Sequence, residues 1–193
     1  MIDLKDKELI LASASPRRKW LMDELGVSFS IQPKNVEEVY PDNLKAEEIP
    51  LYLSQLKANA FTADELVDKV VLTADTIVWL DGAELQKPTD LADAKRMIGL
   101  LSGATHEVYT AITIRTSEKT ISDFDKTQVQ FRTLTEAEID FYVEKYQPLD
   151  KAGAYGIQEW IGYIGIEKIE GCYFNVMGLP LRKVYSALSN LNT

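Results

Sequence analysis

The chain has 193 residues, of which 46% are hydrophobic and 26% are charged, and its formal net charge is −9. These proportions are ordinary for a globular protein, and a chain of this length can bury a substantial core within one domain. The acidic balance argues against a broad nucleic-acid-binding surface, which normally needs a basic face. It also makes clustered cations conspicuous, because an acidic protein that binds an anion must concentrate positive charge locally.

Cys172 is the only cysteine, so the sequence excludes an internal disulfide and a cysteine-rich zinc site. Residues 1–11 contain too many charged side chains for a secretory signal peptide. No apolar run approaches the roughly 20 residues that a membrane-spanning helix needs. We therefore expect a cytoplasmic protein without a membrane segment.

The first predicted elements are joined by the segment Leu9–Arg18, LILASASPRR. An apolar strand leads into a turn of small residues, and Ser15 followed by Pro16 is typical of a helix start. Arg17 and Arg18 then fall in the first helical turn, where the helix dipole disfavours cations. A bound anion would neutralise both guanidinium groups and accept the free N–H groups. The alternative is that both arginines point into water or pair with nearby acids.

Apolar periodicity predicts the further elements along the chain. Predicted strands are Glu8–Ala12, Val70–Leu80, His106–Arg115 and Thr127–Leu134, and predicted helices are Pro16–Leu25, Ala46–Leu66, Leu91–Leu101, Glu136–Tyr146 and Pro180–Leu191. Residues 135–138 form a capping box, Gly26 and Gly103 lie at helix C-termini, and Asp81-Gly82 predicts a hairpin turn. Residues 171–180 predict a strand, a glycine turn and a helix led by proline.

Strands mixed with helices of this length indicate an α/β protein of the mixed α+β kind. Two neighbouring strands near residues 106–134 suggest that antiparallel pairing accompanies any parallel part. No internal repeat, low-complexity tract or linker divides the sequence. We expect a single domain over residues 1–193, built as two lobes.

Carboxylates provide the most specific chemical signal. Asp75 interrupts the apolar strand VVLTADTIVW, where an ionised group is costly unless it is paired, binds a metal or opens on a cleft. The alternative is that Asp75 accepts main-chain N–H groups in a turn. Glu37-Glu38 comes after a break at Pro33–Asn35, in a segment typical of a loop, where paired acids are usually solvated. If Glu38 lies opposite Asp75, the two would suit magnesium or manganese together with phosphate oxygens.

Other polar residues carry weaker signals by themselves. Lys57 lies in a predicted helix, and Lys87 precedes a proline that holds it extended. His106, the only histidine, favours a structural role over that of a base. The loop at residues 150–158 allows close approach of main chain to a ligand, and Gln158 offers a donor and an acceptor suited to a base edge.

Taken in order, the segments ASASPRR, TADT, QKP, SGATHEV, DKAGAYGIQ and CYFNVMGLP resemble the Maf family of nucleoside triphosphate pyrophosphatases. The resemblance spans residues 12–180. It implies an elongated mixed sheet flanked by helices, similar to inosine triphosphatases, with two lobes around a central cleft. It also implies hydrolysis of a nucleoside triphosphate to the monophosphate and pyrophosphate with a divalent metal cation, as a house-cleaning activity with a link to arrest of cell division.

By this resemblance, Asp75 is the proton acceptor, and Asp75 and Glu38 hold the metal. Substrate-binding positions are Ser13, Arg17, Arg18, Lys57, Thr76, Lys87 and Gln158, of which Arg17, Thr76 and Gln158 determine specificity. The resemblance also implies a homodimer. From the acidic charge and the lack of a long apolar run, we expect no nucleic-acid or membrane partner. The division of the base role between Asp75 and Glu38 stays open.

The loop DKAGAYGIQ resembles the subgroup that acts on dTTP and UTP. One departure is Trp160, which stands where glycine-rich sequence is usual and bears on base preference. Two alternatives remain: the same reaction on 7-methyl-GTP or another modified nucleotide, and a nucleotide-binding regulator of cell division without turnover.

Overall fold

A seven-stranded mixed sheet flanked by helices organises the computed structural model, which describes residues 2–191. The strands are β1 (Glu8–Leu11), β2 (Ser30–Ile31), β3 (Lys69–Leu80), β4 (Ala83–Leu85), β5 (Thr105–Arg115), β6 (Thr120–Phe131) and β7 (Ile166–Glu170). The helices are α1 (Pro16–Glu24), α2 (Glu48–Asn59), α3 (Leu91–Leu101), α4 (Glu136–Tyr146), α5 (Trp160–Gly165), α6 (Tyr173–Val176) and α7 (Leu181–Ser189). Short 3-10 turns cover Asp64–Leu66 and Ala152–Ala154.

The sheet has the strand order β2-β1-β3-β5-β6-β7, with β4 added to β3. Its β2-β1-β3 part is parallel and the remaining pairs are antiparallel, which confirms the expected mixture. The central strand β3 is buried along most of its length, and so is β5 beside it. This burial explains why both strands have nearly continuous apolar sequence.

The central strand β3 lacks a partner along part of one edge. Strand β5 covers the other edge from Val71 to Trp79. On the edge opposite β5, β1 pairs with residues 69–72 and β4 pairs with residues 78–80. Residues 73–77 therefore have no strand neighbour there in the described part of the chain. We call this interval the β3 gap, and it contains the TADT segment, residues 73–76.

Local signals predicted several helix ends and one turn. Ser15 caps α1 and Pro16 is its first residue, while Thr135 and Glu138 form the complete capping box of α4. Gly26 and Gly103 have φ values of 71° and 72°, as expected where a helix terminates in the left-handed region. The Asp81-Gly82 turn joins β3 and β4, which confirms the predicted hairpin.

Three predicted elements need correction. The helix predicted over residues 46–66 ends at Asn59, and Asp64–Leu66 is a separate 3-10 turn. The strand predicted over residues 127–134 is β6, which starts at Thr120 because pairing with β5 recruits a polar stretch without an apolar pattern. The strand predicted within residues 171–180 is the short helix α6, since its aromatic residues do not pair with the sheet.

Candidate active site

A cleft of about 620 Å³ opens at the β3 gap. Its walls are the turn before α1, the loop between β2 and α2, one face of α2, the β4 hairpin, and the loops at residues 150–158 and 176–178. All nine side chains singled out from the sequence line it: Ser13, Arg17, Arg18, Glu38, Lys57, Asp75, Thr76, Lys87 and Gln158. The fold therefore gathers residues that are up to 145 positions apart in the chain into one cavity.

Asp75 and Glu38 meet through a shared lysine. Asp75 is only 7% exposed, and Lys57 on α2 donates to its Oδ1 at 2.5 Å. The same Lys57 ammonium lies 2.9 Å from Oε1 of Glu38. Asp75 is thus a strand residue with a cationic partner, and the alternative that it accepts main-chain N–H groups in a turn is wrong.

The two carboxyl groups are tuned in opposite directions. Burial raises the pKa of Asp75 above its ordinary value, although the charges of Lys57 and Arg18 pull it down. Partial burial also acts to raise the pKa of Glu38, but the hydrogen bond and charge of Lys57 and the charge of Lys87 outweigh it, so this pKa is lowered. Glu38 is therefore the more strongly ionised group, and Asp75 is the better proton acceptor.

Arg18 is bound mainly by the protein itself. Its Nε donates to the Gly178 carbonyl at 2.8 Å and its Nη1 donates to the Ala74 carbonyl at 2.9 Å. The remaining contacts are the hydroxyl groups of Thr76 at 3.1 Å and Ser13 at 3.4 Å. Ala74 lies in the β3 gap, so Arg18 satisfies a strand carbonyl that no neighbouring strand reaches.

Arg17 points across the cleft mouth instead. Its Nη1 lies 2.9 Å from Oδ2 of Asp150, and 27% of its side chain is exposed. Asp150 also pairs with Lys151, which in turn reaches Glu159 at 3.2 Å. The two arginines that the sequence treats alike thus differ: Arg18 joins segments of the fold, and Arg17 keeps most of its donors available to a ligand.

Lys87, Thr76 and Gln158 complete the cleft. Lys87 is exposed and forms no hydrogen bond or ion pair with the rest of residues 2–191. The Thr76 hydroxyl shares a 2.9 Å hydrogen bond with Thr110. Gln158 has a buried Oε1 that finds no partner within the described residues, and a buried acceptor left unpaired costs about 1–3 kcal/mol.

His106 lies outside the cleft, in the core. It is 1% exposed, and its Nε2 shares a 2.7 Å hydrogen bond with the hydroxyl of Tyr155. Burial lowers its pKa to about 4, so the ring is neutral at neutral pH. This arrangement agrees with the structural role that the sequence favoured.

The family model described as "Maf-like protein" matches residues 8–191. The chain belongs to the Maf family. Curated relatives align with nearly the whole chain. A protein of Phocaeicola vulgatus named "dTTP/UTP pyrophosphatase" is 48% identical over 190 residues, which are 98% of each chain. A protein of Flavobacterium johnsoniae with the same name is 47% identical over 188 residues, which are 97% of each chain.

Similarity to solved structures is much lower. The dITP/XTP pyrophosphatase of Mycobacterium abscessus matches 93% of this Maf chain and 92% of its own, with 14% identity and a TM-score of 0.45. No helix within residues 2–191 combines the length and the apolar character that crossing a bilayer requires.

The Maf cleft also contains polar residues that the sequence did not single out as site residues. Tyr40, Glu84 and Gln86 line it beside Lys87, and Lys151 lines it beside Asp150. Tyr40 donates a hydrogen bond to Glu84. Alternation of polar and apolar residues along the β4 hairpin was the available signal for Glu84 and Gln86, but nothing local indicated that Tyr40 would reach them.

Proposed function

We propose that this Maf family chain hydrolyses a nucleoside triphosphate at the α-phosphate, releasing the nucleoside monophosphate and pyrophosphate, with dTTP and UTP as substrates. The observation that carries the proposal is the pairing of Asp75 and Glu38 through Lys57 at one wall of a cleft whose other walls present Arg17 and Lys87. The names of the relatives from Phocaeicola vulgatus and Flavobacterium johnsoniae support it.

The proposed reaction needs charge neutralisation and one proton acceptor. A water molecule attacks the α-phosphorus while the bond to the bridging oxygen breaks and pyrophosphate leaves. Asp75 takes the proton from the water, since burial keeps its pKa above that of an ordinary aspartate. Arg17 and Lys87 neutralise phosphate oxygens, and Lys57 holds Asp75 in place.

The carboxylates suit a divalent cation. Lys57 contacts one oxygen each of Asp75 and Glu38, and no side chain or main-chain group within residues 2–191 donates a hydrogen bond to the other oxygen of either carboxylate. No group of three or more His, Cys, Asp or Glu side chains in the described residues could hold a metal. Magnesium typically needs only one or two protein carboxylates together with substrate phosphates and water. We propose Asp75 and Glu38 as ligands of magnesium or manganese, which would supply positive charge at the phosphates.

Substitution of Asp75 tests the proposed reaction. Asp75→Asn removes the proton acceptor, and we expect pyrophosphate release from dTTP to fall by roughly 10²–10⁴-fold. Asp123→Asn is the matched control, because Asp123 pairs with Lys183 outside the cleft. Near-normal turnover by folded Asp75→Asn protein would contradict the assignment.

Base preference is proposed from Gln158. Uracil and thymine carry an N3–H donor that would satisfy its unpaired Oε1, whereas N3 of cytosine is an acceptor. Competition among dTTP, UTP, CTP and 7-methyl-GTP at equal concentration tests this, and preference for 7-methyl-GTP would show that the interpretation of the 150–158 loop is wrong. Tight binding of one nucleotide without pyrophosphate release from any would instead support a regulator without turnover.

A cytoplasmic location and a homodimer complete the proposal. The free thiol of Cys172 agrees with a reducing compartment. The homodimer is proposed from the family alone, and gel filtration with light scattering tests it.

A further inference from the structure

The loop that carries Glu38 lacks support from secondary structure. Residues 32–47, between β2 and α2, contain no helix or strand, and we call them the Glu38 loop. Within residues 34–40 the structure describes a single main-chain hydrogen bond, from the Val39 N–H to the Glu37 carbonyl. A segment with so few main-chain bonds opens easily unless side chains hold it. The position of Glu38 in the cleft therefore depends on side-chain contacts.

One such contact is made by Tyr40, two residues after Glu38. Its hydroxyl donates to Oε2 of Glu84. Gln86 Nε2 lies 3.4 Å from the Tyr40 hydroxyl and 3.5 Å from the same Glu84 oxygen, so it donates to both. The hydrogen bond of a phenol to a carboxylate is of the stronger, charge-assisted kind.

The acceptor belongs to a rigid element. Glu84 lies in β4, where it pairs with Trp79 of β3. Lys87 follows three residues later and shares the cleft with Glu38. The contact between Tyr40 and Glu84 thus joins the Glu38 loop to the hairpin that delivers Lys87.

We propose that Tyr40, Glu84 and Gln86 form a clamp that sets the distance between Glu38 and Lys87 across the cleft. In this view Tyr40 and Glu84 are positioning residues that do not touch the reacting atoms. The inference rests on the function proposed above, because that function gives Glu38 and Lys87 their roles.

The clamp is separable from the packing of Tyr40. Its ring packs against the buried cluster of Ile49, Leu53, Ile77 and Tyr109. Tyr40→Phe keeps that packing and removes only the hydroxyl. Tyr109→Phe is the matched control, since Tyr109 also donates to a glutamate, Oε2 of Glu107 at 2.6 Å, but does not line the cleft.

Two measurements on the full chain test the clamp. In amide hydrogen exchange, Tyr40→Phe should exchange faster than wild type at Val39, the hydrogen-bonded amide of the loop, and at residues 83–85 of β4, and Tyr109→Phe should not. In pyrophosphate release from dTTP, Tyr40→Phe should need roughly tenfold more Mg²⁺ for half-maximal rate, because a hydrogen bond to a charged group that fixes Glu38 is lost. Its melting temperature should stay close to that of Tyr109→Phe.

The conservative variant at Glu84 sharpens the test. Glu84→Gln keeps an oxygen acceptor for Tyr40 and should preserve most of the protection and the Mg²⁺ dependence, whereas Glu84→Ala should behave like Tyr40→Phe.

Each outcome bears on a different claim. Unchanged exchange in Tyr40→Phe overturns the clamp, and faster exchange with unchanged Mg²⁺ dependence and kcat/KM overturns the positioning role. If the wild-type chain releases no pyrophosphate from any nucleotide, the proposed function fails, whereas the exchange comparison still decides whether the clamp exists.

Discussion

Replacing Lys57 with methionine removes the charge that joins the two carboxylates. In the described part of the chain, Lys57 is the one cation within ion-pair distance of Asp75 or Glu38. Methionine is unbranched and of similar length, so it replaces the aliphatic part of the Lys57 side chain on α2 without the charge. Lys57→Met therefore tests how far a single ammonium group stabilises a buried acid.

The magnitude follows from the burial of each partner. Removing one member of a buried ion pair costs about 3–5 kcal/mol when the other charge stays buried. Asp75 is nearly buried, but it borders an open cleft and keeps the nearby charge of Arg18. The Glu38 side chain is 45% exposed, so water screens most of its attraction to Lys57. We expect Lys57→Met to lower the free energy of unfolding by about 2–3 kcal/mol at pH 8.

The stability lost in Lys57→Met should increase with pH. Losing Lys57 removes a charge that lowers the pKa of Asp75, so this pKa rises further above its unfolded value. A carboxyl whose pKa is raised on folding loses stability as the pH rises from the unfolded pKa through the folded one. The deficit of Lys57→Met should therefore be largest at pH 8 and shrink towards pH 4, where Asp75 becomes neutral.

Urea unfolding at pH 8 and pH 5 measures both quantities. Lys19→Met is the matched control: its ion pair with Asp23 is about half exposed on each side, and we expect a loss below about 0.5 kcal/mol. The double variant Lys57→Met with Asp75→Asn should recover most of the loss, because no uncompensated buried charge remains. A Lys57→Met variant as stable as Lys19→Met, or a double variant as unstable as the single one, would refute this reasoning.

Four further predictions concern stability at other positions. Arg18→Lys removes the planar guanidinium that donates to the Ala74 and Gly178 carbonyls together, so at least one carbonyl loses its donor. Thermal or urea unfolding should show a loss of about 2 kcal/mol. Because burial lowers the pKa of His106 from 6.5 to about 4, wild-type stability should fall by up to about 3 kcal/mol between pH 6.5 and pH 4, and His106→Gln should lack that slope in urea titrations. Gly99→Ala in α3 meets no atom within 4 Å. It should therefore raise stability by about 0.5–1 kcal/mol. Gly162→Ala, whose Cβ would lie 1.9 Å from the Ile157 carbonyl oxygen, should lower stability by more than about 2 kcal/mol in the same assay.

Much of the local structure was predictable because its causes act within a few residues. The capping roles of Ser15 and Thr135 depend on side-chain bonds to main chain three residues away. Chemical candidates were predictable for a related reason: an aspartate inside an apolar strand is costly, so Asp75 had to have a partner. That partner is Lys57, which lies 18 positions away in the chain, and no local sequence pattern identifies it.

The two arginines show where sequence reasoning stops. Both lie in the first turn of α1, and local rules give them the same environment. Their partners are remote: Arg18 binds the carbonyl of Gly178, 160 positions along the chain, and Arg17 binds Asp150, 133 positions away. Only the docking of those loops against α1 separates a residue that joins the fold from one that faces a ligand.

By itself, the sequence determined most of the elements, several of their ends and nine residues that line the site, because hydrophobic period, capping and glycine geometry are local. The tertiary structure decided the β3 gap, since it arises where two short strands, β1 and β4, share one edge of β3 without meeting. It also decided that Lys57 joins Asp75 to Glu38 and that Tyr40 reaches Glu84. These contacts form only when segments that are distant in the chain pack together, so no local sequence pattern predicts them.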